Sequence, residues 1–153
     1  MFEIREDDLT SAQTRELLAL HLAGMHASSP PDSVFALDLS GLRVPEVTVW
    51  TAWQDNRIAG VGALKMLADG TGEVKSMRTH PDFLRKGVAA VILETIIEAA
   101  LSRGAPRLSL ETGSGSTFEP ALALYRRRGF RNGAAFSTYE QSDFNQFLHL
   151  DLI

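Results

Sequence analysis

The chain has 153 residues, of which 44% are hydrophobic and 22% are charged, a balance typical of one globular domain and not of a disulfide-stapled miniprotein. Its 19 acidic and 15 basic side chains give a net charge of −4 at pH 7, which argues against a nucleic-acid partner. Cysteine is absent, which excludes a disulfide framework, a thiolate metal site and a cysteine nucleophile. We therefore expect a single domain over residues 1–153.

The amino-terminal segment predicts neither a targeting signal nor a membrane span. MFEIREDDLT carries acidic residues where a signal peptide needs a basic and then an apolar stretch. No uncharged apolar run approaches the ~18 residues of a membrane-spanning helix. We expect a soluble, cytoplasmic protein with no membrane partner.

Apolar residues recur with periods that alternate between two and about three and a half, which indicates an α/β or α+β domain. Phe2 and Ile4 predict a first strand. Thr10 and Gln13 form a candidate capping box that opens a helix, and the segment SSPPDS ends that helix. The apolar face of this helix consists of Leu18, Leu22 and Met25.

Three strands are predicted next, at Val47–Trp53, Ile58–Leu67 and Gly72–Thr79. The polar DNR between the first two favours an antiparallel hairpin. Gly60 and Gly62 lie inside the second strand pattern, so they do not form the strand-to-helix glycine fingerprint of a dinucleotide site. No GxxxxGK[ST] segment of a nucleoside-triphosphate loop is present.

The clearest predicted helix begins near Val88 and ends at Arg103, where Gly104 and Pro106 stop it. Its predicted apolar stripe consists of Val88, Val91, Ile92, Thr95, Ile96 and Ala99.

The last third of the chain predicts one more helix and three strands. Ser116 and Glu119 form a second candidate capping box, and the helix that follows runs to Arg128 before Gly129. The predicted strands are Leu108–Thr112, Phe136–Glu140 and Phe147–Leu152.

A candidate anion site lies between the third strand and the clearest helix. His80 and Pro81 end the strand, and a basic turn containing Gly87 leads into the helix, whose first amides are unpaired and lie at the positive end of its dipole. Backbone amides, two cations and a glycine at one point suit a phosphate group. A solvated turn is the alternative that this segment, taken alone, leaves open.

Two segments, VKSMRTHPDFLRKGVAAVIL and ALALYRRRGF, resemble the GCN5-related N-acetyltransferase (GNAT) family in order and spacing. The resemblance covers Ile58–Phe130, and SPPDSVFALDL with LSLETGS resembles one bacterial branch of small acetyltransferases in that family. It implies a mixed, mostly antiparallel sheet of about six or seven strands flanked by helices. The resemblance also implies a cofactor cleft where the strand of Met77 and the strand of Leu108 splay apart, with acetyl-CoA as cosubstrate.

The resemblance assigns the cofactor contacts residue by residue. The strand edge of Met77, Arg78 and Thr79 is expected to flank the pantetheine and acetyl group. The residues expected to wrap the diphosphate are Arg85, Lys86, Gly87, Val88, Ala89 and Ala90. The chain departs from the family pattern in two places. Leu84 occupies the first position of the phosphate loop, and STFEPALALY lacks the asparagine that often precedes the family's tyrosine.

Two candidate catalytic residues follow from the resemblance, and a third follows from its place on the neighbouring strand. Tyr125 aligns with the tyrosine that many members place near the sulfur, where it protonates the departing thiolate. Glu73 aligns with the general base of histone-type members, and Glu111 on the neighbouring strand is the competing base. The sequence does not decide between the two carboxylates, because a general base is identified by its distance to the amine.

The predicted activity is direct acetyl transfer from acetyl-CoA to an amine of a small molecule or amino acid. A non-catalytic CoA or acyl-CoA sensor and a protein lysine acetyltransferase are the alternatives. His21 and His26 lie five residues apart and do not share a helix face, so we predict no metal. A homodimer is among the assemblies that the sequence allows.

Overall fold

The alternating periods of the sequence form one seven-stranded sheet with four helices in the computed structural model, which describes residues 1–153. The strands are β1 (Glu3–Glu6), β2 (Val47–Gln54), β3 (Arg57–Met66), β4 (Gly72–Thr79), β5 (Arg107–Thr112), β6 (Arg131–Asn132) and β7 (Gln146–Asp151). The helices are α1 (Ala12–Ser28), α2 (Leu39–Leu42), α3 (Val88–Ser102) and α4 (Glu119–Arg127).

The sheet has the order β1-β2-β3-β4-β5-β7-β6, and every neighbouring pair is antiparallel except β4 and β5. The predicted mixed, mostly antiparallel sheet flanked by helices is confirmed. The predicted hairpin is also confirmed, and its turn residues Asp55 and Asn56 have φ values of 51° and 64°, as a tight hairpin turn requires.

The parallel pairing of β4 with β5 is short. It joins Gly72 to Leu108 and Glu73 to Ser109, and no further pair follows. Parallel neighbours need a crossover connection, and α3 supplies it. Beyond the second pair the two strands diverge, so the predicted splay is present and begins after Glu73 on β4 and Ser109 on β5.

A bulge in β4 accompanies this divergence. Val61 pairs with Arg78 and Ala63 pairs with Lys75, so β4 has one more residue than β3 over this stretch. Ser76 lies in the bulge with a φ of 58°, in the left-handed region. The bulge bends β4 a short distance beyond Glu73, the last residue that pairs with β5.

The predicted capping box of α1 is wrong. Ser11 is the N-cap, and its hydroxyl accepts a hydrogen bond from the amide of Thr14. Gln13 instead reaches the β2–β3 hairpin, where its side-chain oxygen accepts a hydrogen bond from the amide of Ile58 at 2.9 Å. The Gln13 side chain, which local spacing assigns to the cap, therefore makes a tertiary contact with a residue 45 positions away.

The predicted apolar stripe of α3 is rotated relative to the buried face. Val91 is 40% exposed, whereas Leu93 and Ile97, which the stripe omitted, are buried. The residues of α3 that are buried are Val88, Ile92, Leu93, Ile96, Ile97 and Ala100. The helix is apolar over most of its circumference, so periodicity alone defines its buried face poorly.

Two predictions in the last third of the chain are also wrong. Ser116 lies in a 3-10 turn, and α4 follows from Phe118 without a side-chain cap. Residues 136–140 form no strand; Tyr139 donates its amide to the carbonyl of Phe136 in a turn, and Ser137 has a φ of 54°. The strand on this edge is β6, which pairs with β7.

The two faces of the sheet carry separate cores. One core packs α3 and α4 against the sheet and includes Trp50, whereas the other packs α1 and α2 against it and includes Trp53. On the first face, α3 approaches β3 closely at Gly62. A Cβ atom at Gly62 would lie 2.5 Å from Cγ2 of Ile92 and 2.6 Å from Sδ of Met77. The absence of a side chain therefore sets the distance between helix and sheet.

Replacement of Gly62 by alanine is expected to lower the free energy of unfolding by about 1–3 kcal/mol, because the added methyl group overpacks this contact. Urea unfolding followed by circular dichroism measures the change. An unchanged midpoint and m-value would contradict the close packing of α3 on β3.

Candidate active site

The divergence of β4 and β5 opens a cleft of about 720 Å³. Its walls come from β4, β5, α4, the first turn of α3, the second half of α1 and the segment 29–36 that follows α1. The predicted site residues that line it are Met77, Arg78, Thr79, Arg85, Gly87, Val88, Ala89, Ala90, Glu111 and Tyr125. Lys86 and Glu73 are not among the lining residues. The fold thus brings most of the predicted phosphate loop and two of the three predicted catalytic residues into one cavity.

The first turn of α3 points unpaired amides at the cleft. Gly87 is the N-cap residue, with a φ of 83° and no side-chain cap, so the amides of Val88, Ala89 and Ala90 have no partner within the helix. A Cβ atom at Gly87 would meet no heavy atom within 4 Å. This helix start has the open space and the positive dipole end that suit an anionic group.

The two predicted cations of the phosphate loop behave differently. Arg85 lines the cleft and has a φ of 62°. Lys86 lies outside the cleft lining, with its Nζ 5.6 Å from the ring centroid of Phe83. Leu84, at the position where the family pattern has a polar residue, is 57% exposed and also lines the cleft. The cationic side-chain contribution at this point therefore comes from Arg85, beside the amides.

Tyr125 lies on the inner face of α4, where it is buried. Its ring packs edge-on against Phe130 with the centroids 5.6 Å apart, and its hydroxyl makes no hydrogen bond within the chain. Burial raises the pKa of the phenol above its usual value near 10. The hydroxyl is protonated at neutral pH, and its raised pKa means that it gives up its proton only to a strong base formed inside the cleft.

Glu111 lies on β5 and lines the same cleft. The pKa of its carboxyl group is raised to about 7, mainly by burial; the positive charge of Lys75 lowers it and the negative charge of Glu73 raises it by smaller amounts. A carboxyl group that titrates near neutral pH can take up a proton from a bound amine at that pH.

Glu73 is held behind the cleft by two side chains. It is 3% exposed, it accepts a 2.5 Å hydrogen bond from the hydroxyl of Tyr139, and it lies 3.3 Å from Nζ of Lys75. Lys75 also donates to the Tyr139 hydroxyl at 2.8 Å and to the carbonyl of Phe35 at 3.2 Å. These three side chains form a largely buried network in which both partners contact Oε2 of Glu73, so one of the two carboxylate oxygens is already engaged.

Sequence reasoning did not single out Lys75 or Tyr139. Lys75 is two residues from Glu73 on one strand, a spacing that places both side chains on one face and could have indicated the pair. Tyr139 is 66 residues from Glu73 and lies in the segment that was predicted as a strand. No local pattern could have placed it there.

No group of three or more His, Cys, Asp or Glu side chains lies close enough together to bind a metal ion. No helix is both long enough and apolar enough to cross a membrane.

The chain matches the sequence profile of the Acetyltransferase (GNAT) family over residues 7–130. It is 49% identical over 145 residues to the uncharacterized N-acetyltransferase YsnE of Bacillus subtilis strain 168, with 95% of this chain and 96% of YsnE covered. It is 46% identical over 152 residues to the uncharacterized N-acetyltransferase YedL of Escherichia coli K12, with 99% of this chain and 96% of YedL covered.

Solved structures share the whole fold. A candidate acyl-CoA N-acyltransferase from Klebsiella pneumoniae superposes with a TM-score of 0.84 at 26% identity, covering 100% of this chain and 99% of that one. A Bacillus subtilis acetyltransferase solved in complex with CoA has the same fold, with a TM-score of 0.74 at 23% identity and 100% of both chains covered.

The chain is a GNAT-fold protein with a cleft at the splayed strands, and it belongs to the GNAT family of acetyltransferases. The family resemblance stated from the sequence is confirmed, and with it the assignment to the acyltransferases.

The raised pKa of Glu111 predicts a specific dependence of stability on pH. Its carboxyl group titrates near pH 4.5 when unfolded and near pH 7 when folded, so folding favours the protonated form. This contribution is fully present below about pH 4.5 and is lost as the pH rises through about 7. Between pH 4 and pH 8, Glu111→Gln should therefore gain about 2 kcal/mol in unfolding free energy relative to the wild type, after a discount for partial exposure.

Urea unfolding of both proteins across this pH range measures the difference. Parallel stability curves for Glu111→Gln and the wild type would show that Glu111 titrates at its ordinary pKa.

Proposed function

We propose that this protein transfers the acetyl group of acetyl-CoA directly to an amine of a small molecule or an amino acid. The observation that carries the proposal is the content of one cleft: an amide-rich helix start, a carboxyl group that titrates near neutral pH and a protonated phenol. Acetyl-CoA supplies the acetyl group as a thioester.

The first turn of α3 fits the diphosphate of CoA. The amides of Val88, Ala89 and Ala90 are free, Gly87 leaves space for close approach, and Arg85 adds a cation at the same point. Membership of the GNAT family and the CoA-bound fold relative support this use of the helix start.

Glu111 is the group proposed to take the proton from the amine. An ammonium ion has no lone pair, so the acceptor must lose a proton before its nitrogen can form a bond to the acetyl carbon. Glu111 lines the cleft and is not hydrogen bonded, whereas Glu73 is bound to Lys75 and Tyr139. The role of Glu73 as base stays a prediction, and the geometry favours Glu111.

Tyr125 is the group proposed to protonate the departing thiolate. The nitrogen–carbon bond forms and the carbon–sulfur bond breaks, which leaves negative charge on sulfur. A neutral phenol buried at the cleft can supply a proton there and is restored by the solvent. The absence of cysteine supports direct transfer in a ternary complex, because no thiol can carry the acetyl group on the protein.

A thiol-release assay with acetyl-CoA and an amine library tests the proposal. Turnover with at least one small amine is expected. Binding of acetyl-CoA by calorimetry without turnover on any amine would favour the sensor. Labelled protein bands after incubation with a radioactive acetyl donor and cell lysate, without turnover of small amines, would favour a protein lysine acetyltransferase.

The choice of base predicts a difference between two variants. Glu111→Gln should lower kcat/KM by about 10²–10⁴ at pH 7, and the defect should shrink as rising pH supplies free amine. In the wild type, kcat/KM should rise with pH and level off above about 7, where Glu111 is ionised. Glu98→Gln, an exposed change on α3, is the control. A larger kcat/KM defect in a folded Glu73→Gln would assign the role to Glu73.

The helix start predicts a donor-specific defect for Gly87→Ala. The added methyl group projects into the space proposed for the diphosphate, so the KM for acetyl-CoA should rise about tenfold or more while the acceptor KM changes little. Alanine at a φ of 83° also costs about 1 kcal/mol of stability.

Gly104→Ala is the matched control for this strain. Gly104 has a φ of 78° at the other end of α3, a Cβ there meets no atom within 4 Å, and it does not line the cleft. It should lose similar stability with no change in the KM for acetyl-CoA. Equal donor affinity of both variants by calorimetry would reject the helix start as the diphosphate site.

The acid role predicts that Tyr125→Phe lowers kcat by about 10²-fold and leaves the affinity for acetyl-CoA nearly unchanged, because the proton is needed only on the way to products. A packing role predicts normal kcat, since phenylalanine keeps the ring against Phe130. The pH dependence of kcat in both proteins distinguishes them. Wild-type kcat in the variant across that range would exclude Tyr125 as the acid.

A further inference from the structure

Arg78 is turned away from the donor side of β4. Its neighbour Met77 packs on the α3 side, with its Sδ 2.6 Å from the position of a Cβ at Gly62. The guanidinium of Arg78 lies on the opposite side, against α1: its Nε donates to Nδ1 of His21 at 3.0 Å, and Nη2 donates to the carbonyl of His21 at 3.4 Å. The terminal nitrogens also lie beside Gly24, where a Cβ would be 2.9 Å from Nη2.

The positive charge of Arg78 has no acidic partner. None of the ion pairs of the chain includes it. Burial lowers its pKa, and no neighbouring carboxylate opposes that effect. Lys75, the nearby cation, is already neutralised by Glu73. A half-buried guanidinium without a counter-ion is costly, and this cost is offset when a ligand supplies the anion.

His21 does not supply a counter-charge for the guanidinium of Arg78. Burial lowers its pKa to about 4, and the charges of Arg78 and Lys75 contribute to the shift. The imidazole is therefore neutral at pH 7 and accepts the hydrogen bond from Arg78 through Nδ1. Together with the carbonyl of His21, it holds the guanidinium in place and leaves Nη1 without a hydrogen bond within the chain.

These groups line the cleft itself. Arg78, His21, Gly24 and Ser76 all belong to its wall. The Oγ atom of Ser76 is buried and has no hydrogen-bond partner, although buried hydroxyl groups are normally paired. A fixed cation and a residue with an unpaired hydroxyl group therefore both belong to the wall of the cleft, and the cation lies on the α1 side.

We propose that the acetyl acceptor carries a carboxylate group, which the guanidinium of Arg78 binds, so that the substrate class is the amino acids and related amino-carboxylates. The inference rests on the proposed function and narrows its acceptor. A planar guanidinium matches a carboxylate with two parallel hydrogen bonds, and the desolvated wall of the cleft strengthens the pair. Held by its carboxylate on the α1 side, the acceptor would present its amine toward Glu111 across the cleft.

The test compares amino acids with their carboxamides as acceptors, using L-phenylalanine with L-phenylalaninamide and L-methionine with L-methioninamide as probes. The measured quantity is the ratio of kcat/KM for the acid to that for the amide. Arg78→Met, which keeps an apolar stem and removes the charge, should lower this ratio by about 10–100-fold. Arg78→Lys keeps the charge without the planar fork and should recover part of it.

Three further measurements distinguish loss of carboxylate binding from a general loss of structure or activity. Gly24→Ala keeps every charge, favours the helix and displaces the guanidinium, so it should lower the same ratio. Arg107→Met removes an exposed arginine that pairs with Asp151 outside the cleft, and it should leave the ratio unchanged. The KM for acetyl-CoA should not change in Arg78→Met, which distinguishes acceptor binding from contact with the donor.

An acid-to-amide ratio that is the same in the wild type, Arg78→Met and Gly24→Ala would overturn the inference while leaving acetyl transfer intact. If Arg78→Met does not fold, Gly24→Ala decides the outcome. If no amine is acetylated, the proposed function fails, and calorimetric titration of L-phenylalanine and L-methionine into the CoA-saturated protein decides the inference separately. Binding to the wild type that is lost in Gly24→Ala would support it, and no binding to the wild type would overturn it.

Discussion

The short pairing between β4 and β5 is the constraint on which the site depends. Two residue pairs join the strands, and the bulge at Ser76 then bends β4 away while α3 crosses from one strand to the other. A fully paired parallel ladder would close the sheet and leave no cleft. Because the strands part, the start of α3, the wall of β5 and the inner face of α4 all open onto one cavity of about 720 Å³. The close packing of α3 on β3 at Gly62 keeps this helix start in position.

Burial determines the protonation states inside that cavity. It raises the pKa of Glu111 to about 7 and that of the Tyr125 phenol above its usual value, and it lowers the pKa of His21 to about 4. At pH 7 in water, a glutamate would be ionised, a tyrosine neutral and a histidine partly protonated. In the cleft Glu111 is partly protonated, whereas Tyr125 and His21 are neutral. The same desolvation lowers the pKa of Arg78, whose charge has no ion-pair partner in the chain. The electrostatic character of the cleft therefore comes from position in the fold and not from the overall charge of −4.

The predictions from local spacing failed where a distant contact competed with them. Gln13 pairs with the β2–β3 hairpin instead of capping α1, because a buried amide 45 residues away needs an acceptor. Residues 136–140 have the composition of a strand, yet the rings of Phe136 and Tyr139 pack on one another and on Phe147 across a turn. Their hydrophobic contacts outweigh the propensity for extended backbone. The placement of the Tyr139 hydroxyl on Glu73 follows from the same turn and could not be read from either segment.

The sequence by itself determined the mixed α/β class, the positions of the main strands and helices along the chain, and the family, because alternation, helix stops and the motif before α3 are local patterns that survive without tertiary contacts. It also identified Gly87, Glu111 and Tyr125 as members of one site. The tertiary structure decided which of the two carboxylates is free to act in the cleft. Glu73 and Glu111 lie on neighbouring strands and look alike in the sequence, but only Glu73 meets Lys75 and Tyr139, which occupy its oxygen, while Glu111 remains on the cleft wall. Distance and desolvation separate their roles, and both are properties of the folded chain.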